Sequence, residues 1–398
     1  SPLTADFAMT RLEDGGVEKE VLRYVDGEIL QLGPFGIEPV WVTHSIPDTR
    51  HLAIHTPEGI IYHGSDFKFD PTPVDNAPSD FEHMKALGKQ GILCAMVDCL
   101  RIERPHAGKS ESSVIVALRE EMSDVKGKVI VTLMSSSIHR IQQVIDVAAE
   151  IGRKVSFVGR SVEQNVNASM NLGMLHFPPE IKLNKRSLSD VADDKICVIV
   201  AGSQGQPGSS LVRAVEGSHR FLSVNRGDKV IFSSDVIPGS ERNVYGTINK
   251  IFELGGVDAA YTDLNSGLHV SGHASAEEQM QLVEMLQAKY LFPIGGEARH
   301  RVLFATAVEQ LGYAPNQVVL PKEGKIVEFQ NGSMRYGAQI KLRHRTVDAS
   351  GMASIVAEHI DERSLLGKGG ALVVSVRLDD EAAGVTPDDV VVDTRGVS

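Results

Sequence analysis

The chain has 398 residues, 40 Lys and Arg against 52 Asp and Glu, a formal net charge of -12 and 42% hydrophobic residues. That length holds two or three domains with cores of their own, and the composition is globular rather than disordered. The negative balance excludes unspecific coating of a polyanion, so any nucleic-acid contact must be a local groove.

In chain order, VWVTHSIPD and HLAIHTPEGIIYHGSD read as β, with a hairpin at the Pro-Glu-Gly between two apolar runs, followed by the strand ILCAMVD. From about Arg104 the rhythm becomes strand, helix, strand, helix. KVIVTLMSSS precedes HRIQQVIDVAAEIGR, where Ile141, Val144, Ile145 and Ala148 form one helical stripe, and VSFVGRS precedes VEQNVNASMNLGML. CVIVAGSQG precedes SSLVRAVEG, and KVIFSSDVIPG precedes ERNVYGTINKIFELGG. Four such units predict a mainly parallel sheet covered by helices. The alternation continues through SAEEQMQLVEMLQA, KYLFPIGG and RHRVLFATAVEQLG to a hairpin expected within QVVLPKEGKIVEFQNG. The stretch from Arg343 to Ser398 is more charged and ends in β-rich runs.

Cys94, Cys99 and Cys197 are odd in number and lie in apolar runs, which predicts buried thiols in a reducing, cytoplasmic setting. No run approaches the ~20 apolar residues of a membrane span, and SPLTADF lacks the regions of a signal peptide. The chain opens without Met, as expected of a processed, trimmed or partly represented sequence.

Polar information gathers at strand ends. His44 in THSIPD and Asp66 in HGSDFKFD each follow an apolar strand, and imidazole with carboxylate is ligand chemistry for zinc or manganese. The same pair also fits a loop histidine bonded to backbone and a turn-capping aspartate. His55 and His63 alternate with apolar residues and read as sheet histidines. In LHVSGHASAEEQ, His269 and His273 flank Ser271 and Gly272, and Ser275 with Glu278 forms the signature of a capped helix start. Two imidazoles beside a small-residue loop and a helix amino terminus suit a phosphate or proton transfer. Ser135, Ser136 and Ser137, Gly159-Arg160-Ser161, Gly202-Ser203-Gln204-Gly205, and Ser233-Ser234 follow the parallel strands, where ligands bind, although none forms a dinucleotide or P-loop motif.

Taken together, THSIPD, GSDFKFD, VDCLRIERPHAGKSESS, SSSIHRIQQVID, GRSVEQN, AGSQGQP, IFSSDVIPGSE, HVSGHASAEEQ and PIGGEARH resemble the β-CASP branch of the metallo-β-lactamase fold, most closely ribonuclease J. The resemblance spans residues 3 to 340. It implies an α/β fold: a partial metallo-β-lactamase αββα sandwich from 1–103 and 276–345, a parallel-sheet β-CASP domain inserted at 104–275, and the start of a carboxy-terminal domain at 346–398. It also implies a ribonuclease acting on single-stranded RNA by 5′-to-3′ exonuclease and endonuclease cleavage, with two metal ions, usually zinc, with manganese or magnesium as substitutes. His44 and Asp66 then match metal ligands, and His273 a catalytic residue near the scissile phosphate. His269, Ser271, Gly272, Ser136, Ser137 and Arg160 would hold RNA. Self-association as a dimer or tetramer is expected, as is a separate amino-terminal segment.

Two departures carry weight. The family's first metal motif, His-x-His-x-Asp-His, is absent, and Gly295 in PIGGEAR stands where the third motif has its ligand histidine. His300 lies close in sequence and is expected on the following helix. The alternative is therefore a non-catalytic RNA-binding or subunit-partner paralogue that has lost the metals.

Overall fold

The computed structural model describes residues 1–17 and 19–342, with short pieces at 346–347, 354–355, 362, 364–366, 370–376 and 390–395. Helix α1 (Pro2–Asp14) precedes strands β1 (Leu30–Leu32), β2 (Phe35–Trp41), β3 (Arg50–Thr56) and β4 (Gly59–His63), then α2 (Phe81–Gln90) and β5 (Ile92–Asp98). Next come α3 (Val114–Met122), β6 (Val129–Thr132), α4 (Ile138–Glu150), β7 (Lys154–Val158), α5 (Arg160–Asn171), β8 (Ile196–Val200), α6 (Ser210–Val215), β9 (Lys229–Phe232), α7 (Glu241–Glu253) and β10 (Asp258–Ala260). The chain continues with α8 (Ala276–Leu286), β11 (Tyr290–Ile294), α9 (Ala298–Glu309), β12 (Lys325–Gln330) and β13 (Ser333–Gln339).

Two sheets organise these elements. A mixed sheet has the order β1-β2-β3-β4-β5-β11, antiparallel as far as β4 and parallel from β4 through β5 to β11. The hairpin between β3 and β4 turns at Pro57-Glu58, as the sequence predicts, with Thr56 paired to Gly59. Ala53, Tyr62, Ala95 and Val97 face a core closed by Met84 and Leu87 of α2, Leu282 and Leu286 of α8, and Phe304 and Val308 of α9. On the opposite face Leu52, Ile54, Ile61, Met96 and Phe292 are only half-buried, so the described residues supply one covered side of this sheet.

The second sheet is wholly parallel, in the order β10-β9-β6-β8-β7. Its inner strands VIVT and ICVIV are buried throughout, which is why they read as unbroken apolar runs: helices cover both faces. Val114, Leu118, Ile141, Val144, Val162 and Val166 close one core, and Leu211, Val215, Val244, Ile248 and Ile251 the other. Strand β10, short and without a strong apolar run, escapes a sequence reading. So does α1, whose Leu3 is buried in the first of these cores while its N–H donates to Asp48 Oδ2 at 2.9 Å.

The chain leaves the mixed sheet after β5 and returns before α8, and the two crossings run side by side. Arg101 bridges Ser275, and the Ala276 N–H donates to the Arg104 carbonyl at 2.8 Å. The hairpin expected within residues 317–332 forms later instead, between β12 and β13 about Asn331 and Gly332, both at positive φ as a two-residue turn requires. Val318 forms an isolated parallel bridge with Leu291 of β11 and the Val319 N–H donates to the Leu291 carbonyl at 2.7 Å, so the QVVL run docks on the edge of the mixed sheet. The β-rich ends of the carboxy-terminal stretch pair as Ala371–Val376 with Val390–Arg395. Thr346–Val347 pairs with Ser354–Ile355, and most of the rest of the expected carboxy-terminal domain lies outside the described residues.

Candidate active site and RNA interface

Strands β4, β5 and β11 run parallel, so their carboxyl ends share one edge, where open α/β sheets bind ligands. His63 pairs with Met96 and Ile294 with Asp98, which brings Asp66, Asp98 and Gly295 to that edge. The returning segment lays His273 across it. Ligand atoms of Asp66, Asp98 and His273 all lie within 4.8 Å of one another. Asp98 is 1% exposed and its Oδ2 accepts a 2.7 Å hydrogen bond from His273 Nδ1. Burial disfavours the imidazolium of His273, but this hydrogen bond and the charge of Asp98 outweigh it and raise its pKa above the ordinary histidine value.

His44 stands beside this group rather than in it, its ring centroid 5.4 Å from that of His273. Its Nδ1 donates to the Gly272 carbonyl at 2.7 Å, which fixes the tautomer and leaves Nε2 as the lone-pair nitrogen. Burial and the facing His273 lower its pKa, although the bond to Gly272 works the other way, so the ring is neutral, as a ligand must be. Gly272 is needed for this approach: a Cβ there would stand 2.7 Å from His44 Cε1.

Gly295 adopts φ +79°, and a Cβ on it would lie 3.0 Å from Asp98 Oδ1. A side chain at this position would therefore point at the cluster, and glycine supplies none. His300 does not take its place. It is buried in the first turn of α9, where its Nδ1 accepts the Glu297 N–H at 3.0 Å.

The second part of the site lies on the parallel sheet, at the crevice between β6 and β9 where the order of connections reverses. Here Arg140 of α4, 2% exposed, makes a two-pronged bond to Glu111 at 2.8 and 2.9 Å. Its Nη1 also donates to the Ser233 carbonyl at 2.9 Å and to His269 Nδ1 at 2.7 Å. Burial and the neighbouring Arg140 push His269 down to about 3, so its ring is neutral and Nε2 carries the proton. Ser137, buried, heads α4 without a side-chain cap, and Ser136 precedes it half-buried. The buried Ser234 Oγ has no partner among the described residues. Ser271 Oγ accepts the His273 N–H at 3.1 Å, so its role is to shape the loop between the two histidines.

The structure thus gathers His44, Asp66, Gly272 and His273 at one edge and Ser136, Ser137 and His269 at the other, with residues 269–273 connecting them. Arg160 is elsewhere: it starts α5 after β7, the outermost strand, with β8 and β6 between it and the crevice. Asp98 and Arg140 are the residues sequence reasoning passed over. Asp98 ends an apolar strand as Asp66 nearly does, a signal available in ILCAMVD, whereas nothing local marks Arg140 as more than a helix-face arginine. The predicted capping box of Ser275 and Glu278 is present at the start of α8.

Residues 126–251 match the family described as Ribonuclease J, beta-CASP domain, and residues 262–321 match the Zn-dependent metallo-hydrolase RNA specificity domain. Ribonuclease J 1 of Streptococcus pyogenes is 30% identical over 380 residues, covering 95% of this chain and 67% of that protein. The chain belongs to the ribonuclease J family. The mixed sheet with α2, α8 and α9 is accordingly the metallo-β-lactamase part and the parallel sheet the β-CASP part. Ribonuclease J of Corynebacterium glutamicum is 33% identical over 348 residues, covering 87% of this chain and 48% of that one, and that of Synechocystis sp. is 32% identical over 371 residues, covering 92% and 57%. The chain spans about half the length of these relatives. A crystal structure of a protein of unknown function from Enterococcus faecalis V583 shares the fold with a TM-score of 0.54 at 14% identity, covering 84% of this chain and 74% of that one. No described helix is long and apolar enough to cross a membrane.

Proposed function

We propose that this chain binds single-stranded RNA by its phosphates and, with a divalent cation, hydrolyses the phosphodiester in RNA processing or decay. The observation that carries the reading is the cluster of Asp66, Asp98 and His273 on one strand edge, joined by a five-residue loop to the neutral His269 on the other. The carboxylates of Asp66 and Asp98 lie close enough to share an ion, and His44, outside that cluster, presents its free nitrogen beside it. Carboxylate with imidazole is ligand chemistry for zinc or manganese, and among the described residues it suffices for at most one ion. When bound, such an ion supplies Lewis-acid polarisation of a phosphoryl oxygen and a more acidic water.

The chain's own groups do the rest. His269, kept neutral by burial and by Arg140 on Nδ1, donates Nε2–H to a phosphate oxygen in place of the Asp235 carboxylate that stands 3.6 Å from it. The hydroxyls of Ser136 and Ser137 at the start of α4 are further donors. His273, held by Asp98 with its protonated form favoured, presents Nε2–H to the leaving oxygen as general acid. The expected division into metallo-β-lactamase parts at 1–103 and 276–345 and a β-CASP part at 104–275 places this loop at the seam.

Gly295 favours a second reading, an RNA-binding or subunit-partner protein without turnover. Single-turnover cleavage of a 5′-phosphorylated single strand, with zinc or manganese added, decides between them. Cleavage that falls about a hundredfold or more in His273→Ala with RNA affinity retained supports the hydrolase. RNA binding without cleavage under every metal supports the second reading, and no RNA binding removes both.

A further inference from the structure

A cavity of about 640 Å³ opens at the carboxyl ends of β6, β7 and β8, apart from the acid and imidazole cluster. Its lining includes Arg11, Arg160, Ser135, Ser203, Ser209 and Gln164, and contains no Asp, Glu, Phe, Tyr or Trp. We propose that this cavity is a second contact for RNA, holding the sugar-phosphate backbone of the strand that continues from the crevice between β6 and β9, with α1 supplying half of its charge. The inference rests on the RNA reading above and extends it to a stretch of the molecule that reading does not use.

Four observations support it. Arg11 and Arg160 come from α1 and α5, which pack together, and neither guanidinium has an ion-pair or hydrogen-bond partner among the described residues. In a chain of net charge -12, two unpaired guanidiniums on one cavity without a carboxylate form a local anion site. Ser203 is 4% exposed and its hydroxyl meets only the Met134 thioether, at 3.7 Å. The Ser209 Oγ, on the same lining, is buried with no partner among the described residues, a cost that rotation of the hydroxyl toward a ligand oxygen would relieve. Continuity comes from the β6 loop: Ser135 lines the cavity, and the next two residues, Ser136 and Ser137, belong to the crevice that holds His269 and Arg140.

The lining also fixes the kind of contact. Without an aromatic platform there is no stacking of bases, so recognition is of phosphate and ribose, tolerant of sequence and sensitive to salt. The cavity has the size of a nucleotide-scale ligand site, and a strand whose terminal phosphate sits at His269 reaches it only with the nucleotides that follow.

The test is equilibrium binding of a 5′-phosphorylated uridine trinucleotide and dodecanucleotide, by competition at several salt concentrations, to the full chain and to Arg11→Glu, Arg160→Glu and the double variant. Melting curves report whether each variant folds. The account expects the double variant to lose about tenfold or more in dodecanucleotide affinity and to flatten the log-log salt slope by about 1.4, at about 0.7 for each single-strand phosphate lost. Trinucleotide affinity should change less than about twofold, since that ligand makes none of these contacts. Dodecanucleotide affinity and salt slope equal to the parent, in folded variants, overturn the cavity proposal and leave the RNA reading standing. Equal losses for both lengths also overturn it, because they indicate a general charge effect. A parent chain that binds neither strand overturns the RNA reading itself.

Discussion

At the edge of the mixed sheet, His44 and His273 are each fixed by a 2.7 Å hydrogen bond, one to backbone and one to a buried carboxylate. At the edge of the parallel sheet, the hydroxyls of Ser209 and Ser234 are buried with no bond among the described residues, and Arg11 and Arg160 line an open cavity without a partner among them. Both regions lie at the carboxyl ends of parallel strands, yet the two histidines of one are held by bonds already made, whereas the arginines of the other have no partner among the described residues. Proton transfer needs a set direction between groups before substrate arrives. Phosphate binding tolerates donors that become satisfied only on binding, because the ligand brings the acceptor oxygens. Arg140 is the exception on the parallel side, and it shows how one His there acquires the same fixity as its counterparts.

Breaking that exception gives the largest expected effect. Arg140→Ala strands the buried Glu111 carboxylate and frees His269, and should cost about 3–5 kcal/mol in urea unfolding. Replacing both partners, Arg140→Met with Glu111→Leu, should recover most of that stability while RNA affinity stays low, which separates folding from positioning.

Acid should weaken both regions through buried neutral histidines. His51, fully buried behind the mixed-sheet edge and bonded to Tyr62 Oη at 2.9 Å, is pushed down to about 3 by burial, as is His269 on the other side. The unfolded chain takes up those protons near the ordinary value of about 6.5 and the folded one does not, so stability falls as pH drops from about 6.5 towards 3. For His51 the loss by pH 5 is on the order of 2 kcal/mol, and urea midpoints at pH 7.5 and 5 should show it, with a smaller loss in His51→Phe.

Two substitutions sharpen the fixed side. Gly272→Ala forces His44 off its carbonyl and should cost about 1–2 kcal/mol, with weaker metal binding as the independent readout. Ser275→Ala removes the cap of α8 and should cost about 1 kcal/mol without altering metal affinity. A loss of metal affinity in Ser275→Ala would mean that the loop between His269 and His273 is set by the helix start rather than by its own bonds.

Much of this was legible in the sequence. The parallel sheet announces itself because strands buried on both faces are uniformly apolar, and the residues following each strand must then fall on one edge. His44, Asp66 and His273 are marked by loop position and by family motif. What stayed hidden depends on pairings between distant segments: Asp98 meets His273 across 175 positions, and Arg140 meets His269 across 129. Helix α1 buries Leu3 and Ala5 and packs Phe7 part-way against the core, all within its first two turns and too few for periodicity to register. The expected hairpin span holds two turn signals, PKEG and Asn331-Gly332, and only the bond of Val319 to Leu291 and the β12–β13 pairing show that the second reverses the chain.

Titration calorimetry with zinc, on the full chain and on Asp98→Asn side by side, tests most directly the claim that the mixed-sheet edge is a prepared metal site. The account predicts one tight zinc ion per chain, weakened about a hundredfold in Asp98→Asn with the melting temperature nearly unchanged. No zinc binding by the parent chain, or equal binding by both proteins, would contradict it.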